Sequence, residues 1–299
     1  MLLSEAPAQI TLKNILVATD FSPGSDTALR SVLPIAEKFH STVHILHVIH
    51  AAAFGSVSLE PETQRQLREN ARQQLHTLET VVGVVPHRTW LREGDIWKVI
   101  EDLVRSEQVD LIVVGCSGKS DVKKFFLGSV ADEILRSATC PVLAVGPHVR
   151  SESDPERLTQ LLYVTSLWEE SHSGLHLAIS LAVRNRARLM VLHVVEQDER
   201  NGADREWLKS YRGILRNLLP ASAGDLAAEP VLRVEVTRRA SARILQVADE
   251  ISANMIVMDL RPEEAWATHL RDKVYEIISG ANCPVLTLRT VREQQEDQH

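Results

Sequence analysis

The chain has 299 residues, 44% of them hydrophobic and 24% charged, with a formal net charge of -7 at pH 7. That length suits two domains of roughly 150 residues each, and dispersed lysines and arginines under a negative total exclude the basic footprint of a nucleic-acid binder. No run of about 18 apolar residues occurs, and the start lacks a basic segment followed by an apolar core, so the expectation is a cytoplasmic protein without a membrane partner. Cys116, Cys140 and Cys283 form no disulfide framework and lack the paired spacing of a zinc site.

In chain order, Asn14 to Thr19 reads as a buried strand. Ser22 and Pro23 read as an N-cap and a first-turn proline, and Ala28, Leu29, Val32, Ile35, Ala36 and Phe39 follow on one helical stripe. Thr42 to Ile49 is the second strand; a polar helix carrying Leu67, Ala71, Leu75 and Leu78 leads to a weaker strand around Arg88 to Arg92. Ile96, Val99, Ile100, Leu103 and Val104 mark a third helix. Asp110 to Val114 and Pro141 to Val145 are the last two strands of this half, separated by a glycine-containing segment and a helix starting near Gly128. Unbroken apolar strands alternating with helices predict a parallel sheet covered on both faces.

The second half repeats the first. Ile45-Leu46-His47-Val48 recurs as Val191-Leu192-His193-Val194, Asp110-Leu111-Ile112-Val113-Val114 as Asn254-Met255-Ile256-Val257-Met258, and Thr139-Cys140-Pro141-Val142-Leu143 as Asn282-Cys283-Pro284-Val285-Leu286. A period of this length means tandem domains rather than a solenoid. The strands expected in the second copy are Leu161 to Thr165, Leu189 to Val195, Leu232 to Thr237, Met255 to Asp259 and Pro284 to Leu288. The expected organisation is two Rossmann-like α/β domains, 1–148 and 158–290, each an open five-stranded parallel sheet, followed by a charged tail, 291–299. The polar break from Ser151 to Pro155 lies between them.

Ligands of open parallel sheets bind beyond the carboxyl ends of the strands, where strand order reverses. Two features of the first copy fall there: Asp20 after the first strand, and Gly115-Cys116-Ser117-Gly118 with Gly128-Ser129-Val130 after the fourth. Closely approachable glycine amides followed by a helix start suit an anionic group. Gly118-Lys119-Ser120 mimics the end of a P-loop, but Val113 stands where that motif needs its first glycine. The dinucleotide pattern fails too, since Asp20-Phe21-Ser22-Pro23-Gly24 holds one glycine.

The remaining pattern is glycine, two residues, glycine, nine residues, glycine and serine. With Asp20 and Leu46-His47-Val48, it resembles the nucleotide-binding form of the universal stress protein family, and the likeness covers both copies. The resemblance implies that Asp20 and the backbone of Val48 hold an adenine, with Ala18 lining the pocket. Val114 and Gly115 would meet the ribose and adjoining phosphate, and Gly118, Gly128, Ser129 and Val130 the phosphates. ATP is the implied ligand, with AMP or ADP as alternatives and Mg²⁺ carried on the phosphates. It further implies a nucleotide-dependent stress-response regulator in which the two copies pair through their last strands, with a homodimer also open.

No catalytic residue or protein-held metal is expected. A slow ATPase or autophosphorylating enzyme, and a scaffold that binds no nucleotide, stand as alternatives. The second copy departs from the motif: Ser166 replaces Asp20, Asp259 replaces Gly115, Pro262 replaces Gly118, and Arg271-Asp272 replaces Gly128-Ser129. Asp259 and Asp272 would repel phosphate and Pro262 removes an amide donor, so ATP is expected in the first copy alone. His47 and His193 occupy equivalent places inside apolar strands in both copies, which makes them core histidines rather than catalysts. Lys119, Lys123 and Lys124 fit either phosphate screening or a solvated loop.

Overall fold

The computed structural model describes residues 12–50, 60–116, 127–150, 158–167, 173–197, 205–260 and 269–289. They form two compact units, divided between residues 150 and 158.

In the first unit the elements run β1 (Asn14–Ala18), α1 (Pro23–Phe39), β2 (Thr42–Ile49), α2 (Pro61–Val82), β3 (His87–Glu93), α3 (Ile96–Ser106), β4 (Leu111–Gly115), α4 (Ser129–Ser137) and β5 (Val142–Val145). All strand pairs are parallel and the order is β3-β2-β1-β4-β5. Strand order therefore reverses between β1 and β4, the neighbours that the sequence argument required. Helices α1 and α2 touch one another and the sheet, as do α3 and α4, so each pair covers its own face. Ile15, Leu16, Val17, Ile112 and Val113 are fully buried, which explains their unbroken apolar runs: a strand with helices on both sides has no wet face. Helix α1 starts where expected, with the Ser22 hydroxyl accepting from the Ser25 amide at 3.3 Å.

The second unit repeats this order: β6 (Gln160–Thr165), α5 (Ser173–Asn185), β7 (Arg188–Glu196), α6 (Arg205–Asn217), a 3-10 turn (Ala221–Asp225), β8 (Val231–Thr237), α7 (Ala240–Glu250), β9 (Met255–Leu260), α8 (His269–Gly280) and β10 (Val285–Arg289). Its sheet is again parallel, in the order β8-β7-β6-β9-β10. The duplication extends to side-chain devices. Asp110, just before β4, accepts from the Lys13 and Asn14 amides at 2.6 and 2.9 Å, and Asn254, just before β9, accepts from those of Thr159 and Gln160 at 2.8 and 2.9 Å.

Candidate functional site

The corner between β1 and α1 is built around a buried hydroxyl. The Thr19 amide donates to the Leu46 carbonyl at 2.9 Å, and its Oγ1 accepts from the Phe21 amide at 3.0 Å and lies 3.1 Å from the Ser25 hydroxyl. These bonds hold Phe21 at φ +61°, a left-handed conformation that bulky residues seldom adopt. Asp20 is thereby left exposed between them, with Oδ1 accepting from the Ser22 amide at 2.9 Å. Partial burial pushes the Asp20 carboxyl upward, but bonds from the Ser22 hydroxyl and amide and from Ser25 outweigh it, so the group lies below the ordinary aspartate range. It is a carboxylate at neutral pH, able to accept from an amino or hydroxyl group.

The His47 ring packs against Phe21, with centroids 4.2 Å apart, and its Nδ1 lies 2.8 Å from the Thr19 carbonyl, so Nδ1 carries the proton. Burial is the main reason that its pKa is depressed, against the opposing pull of the Thr19 carbonyl and Asp20. The second copy has the same arrangement. His193 Nδ1 lies 2.9 Å from the Thr165 carbonyl, the Leu167 amide donates to Thr165 Oγ1 at 3.0 Å, and Leu167 has φ +56°. A device present with or without the aspartate is one that shapes the strand end, so these histidines are structural.

Ala18 sits across from Val114 on β4 and Leu46 on β2. Val114 is buried, while Ala18 and Val48 are half-buried. Gly115 has a reason for being glycine that the sequence did not disclose. A Cβ there would lie 2.4 Å from the Gly24 carbonyl oxygen and 2.6 Å from the Ser25 nitrogen, because the first turn of α1 rests directly on the end of β4. The glycine is demanded by helix-on-strand contact before any ligand is considered. Gly118 and the three loop lysines lie outside the described residues.

Gly128 differs. It precedes α4 at an ordinary φ of -55°, caps it without any side-chain bond, is exposed, and has no atom of the described residues within 4 Å of a would-be Cβ. Leu127, Ala131, Ile134 and Leu135 are buried and fix the helix, which packs on β5 beside β4. The exposed Ser129 and half-buried Val130 form its first turn. The start of α4 is therefore an anchored helix N-terminus without side-chain capping, a favourable setting for an anion.

Cys116 follows Gly115 but is buried, and loss of solvent pushes its thiol up to about 12. Burial does the same to Cys140 and Cys283, at about 11 and about 12. Since the thiolate is the nucleophile, a disulfide reagent at pH 8 should label all three slowly in folded protein and rapidly in denaturant. A fast native phase from Cys116 would show that it is accessible and ionised.

In the second copy Asp259 takes the register position of Gly115, but its charge is already partnered. Oδ1 accepts from the Gly174 amide in the first turn of α5 at 2.9 Å, and Oδ2 from the Tyr163 hydroxyl at 2.6 Å. The carboxylate thus occupies the strand end, an effect beyond the repulsion expected from sequence. Tyr211 of α6 stacks on His193, with centroids 5.1 Å apart and planes 11° from parallel. Pro262 lies outside the described residues, and Asp272 lies in the first turn of α8.

The family model described as "Universal stress protein family" matches residues 11–146 and 158–289. A universal stress protein of Methanocaldococcus jannaschii is 31% identical over 139 residues, covering 44% of this chain and 81% of that protein. Universal stress protein A homolog 1 of Coxiella burnetii is 33% identical over 138 residues, covering 44% and 95%. The crystal structure of a universal stress protein from Archaeoglobus fulgidus superposes with a TM-score of 0.67 at 21% identity, covering 93% of this chain and 98% of that one, a likeness of fold. No helix among the described residues is long and apolar enough to cross a membrane. With both halves matched and the same parallel strand order in each, the chain belongs to the universal stress protein family as a tandem, two-copy member.

Proposed function

We propose that the first copy binds one adenine nucleotide, ATP foremost, and that the protein acts as a cytoplasmic regulator whose conformation or partner choice follows nucleotide occupancy. The observation that carries this is Gly128: no contact among the described residues requires a glycine there, and the second copy has Arg271 in its place, yet it opens a helix N-terminus without side-chain capping. A phosphate needs that bare backbone. At the opposite end, the ionised Asp20 offers an acceptor for the adenine amino group, beside the carboxyl end of β2 where the backbone of Val48 would take the ring edge. Ala18 and Val114 would form the apolar floor between them, Gly115 the approach, and Ser129 and Val130 the phosphate end; Gly118, outside the described residues, is the further phosphate contact that the family resemblance implies. The bound nucleotide would bring Mg²⁺ on its phosphates; the chain's part is to hold, orient and report.

Calorimetric titration of ATP into the full chain, with phosphate release followed in the same samples, tests this. About one nucleotide per chain is expected, with little turnover. Asp20→Ala should weaken binding roughly tenfold or more, the scale of one charge-assisted hydrogen bond. Two nucleotides per chain would overturn the single-site assignment, unchanged affinity in Asp20→Ala would overturn the adenine contact, and rapid turnover would make the protein an enzyme.

A further inference from the structure

The carboxyl-end face of the second sheet is tied together by acidic side chains of the chain itself. Asp259 is one. A Cβ on Gly174 would lie 2.6 Å from its Oδ1, so the carboxylate lies flush on the first turn of α5, and Tyr163, 1% exposed, donates to its other oxygen. Glu196, at the end of β7, is the other. Its Oε1 accepts from the Ala240 amide at 3.0 Å, at the start of an α7 whose cap residue Arg239 supplies no side-chain bond, while Oε2 pairs with Lys273 of α8. A carboxylate at a helix N-terminus is favoured by the free amides and the helix dipole. Burial pushes Glu196 upward, but Lys273 and the Ala240 amide outweigh it and leave the carboxyl below the ordinary glutamate range. Ser241 of α7 donates to Glu276 of α8, closing the tie between these helices.

The first copy lacks the residues of the Asp259–Tyr163 and Glu196–Lys273 pairs. By strand register Asp259 corresponds to Gly115 and Tyr163 to Val17, and by the shared strand and Cys-Pro repeats Glu196 corresponds to His50 and Lys273 to Val130. A glycine and two valines stand at three of these positions, and at the fourth His50 directs Nδ1 to the Gly94 carbonyl at 2.8 Å, a bond to a carbonyl where the second copy has a carboxylate at a helix N-terminus.

We infer that the second copy is self-liganded: Asp259 and Glu196 are internal anions that fill and latch the strand-end face, making this copy a permanently occupied module that does not respond to nucleotide. Through these residues the duplicated chain would combine one responsive copy with one fixed copy. The inference concerns the second copy alone and stands whether or not the first binds ATP.

Hydrogen exchange of the full-length chain, read by mass spectrometry on peptides from α5 and α7, tests it. Without nucleotide, Asp259→Ala should speed exchange in the first turn of α5, and Glu196→Ala in that of α7, by tenfold or more, with first-copy peptides unchanged. Tyr163→Phe removes one hydroxyl and serves if Asp259→Ala does not fold; it should speed α5 exchange by a smaller factor. In the wild-type chain, ATP should leave both peptides unchanged. Wild-type exchange rates in the variants, or protection of α5 or α7 by ATP, would overturn the inference. The variant arm needs no nucleotide, so a first copy that binds none would fail the ATP titration separately.

Discussion

Gly115→Ala is expected to destabilise the first copy by about 2–4 kcal/mol, and Gly115→Val by more, enough to leave that copy largely unfolded if its stability is at the low end of the usual 5–15 kcal/mol. The added Cβ would sit 2.4 Å from the Gly24 oxygen, 2.5 Å from its carbonyl carbon and 2.6 Å from the Ser25 nitrogen. These are backbone atoms, so no side chain can rotate away and α1 itself must lift. That helix buries Ala28, Leu29, Val32, Ala36 and Phe39, and its first turn is tied to the strand end through the Ser25 and Thr19 hydroxyls. Lifting it gives up apolar burial worth roughly 25 cal/mol per Å² as well as those bonds. The matched control is Gly128→Ala, at an ordinary φ with no atom of the described residues near its would-be Cβ, which should leave stability within about 1 kcal/mol of wild type. Urea unfolding of both variants, with α1 amide exchange marking the first copy, checks the pair. Equal stabilities would mean that α1 does not rest on β4.

These two glycines also show what a sequence can disclose. Spacing placed both in one motif and assigned both to a ligand, but Gly115 answers to a helix whose contact lies some ninety residues earlier in the chain, and no local pattern encodes a long-range approach of backbones. The elements themselves were legible, because strands such as Leu111–Gly115, with four of five residues buried, must be apolar throughout. Repetition identified His47 and His193 as structural, and their matching bonds to Thr19 and Thr165 give the reason. Asp259 was legible as a charge in the wrong place; its partners Tyr163 and Gly174 were not, since pairing a strand end with a helix start needs the folded register. Glu196 and Lys273 carry no local signal of their pairing for the same reason.

Acidification should destabilise the first copy more steeply than the second between about pH 6.5 and 4.5. His44 and His47 in the first copy and His193 in the second all have depressed pKa values, chiefly through burial. A histidine kept neutral by the fold binds its proton more readily when unfolded. Its contribution is therefore fully present above the unfolded value of 6.5 and is lost as pH falls through that value towards the lower folded one. His44 is the most constrained. It is 1% exposed, its Nδ1 accepts from the Trp90 indole at 3.1 Å, and its Nε2 faces the Asn14 side-chain oxygen at 3.3 Å. A second ring proton would set donor against donor at Trp90, and burial opposes it more strongly than Glu107, which outweighs the repulsion of Arg88, can favour it. Each extra proton taken up on unfolding contributes at most about 1.4 kcal/mol per pH unit, so these residues give the first copy up to twice the slope of the second. The carboxylates held below their usual range, Glu196 and Glu235 among them, add their losses only below about pH 4.5. Urea unfolding of the full chain at pH 7, 6 and 5, with exchange in β2 and β7 peptides separating the copies, measures both slopes. His44→Gln should flatten the first-copy slope by up to one proton while lowering stability at pH 7 by about 1–3 kcal/mol, the penalty for disturbing a buried hydrogen bond; an unchanged slope would mean that His44 titrates freely in the folded protein.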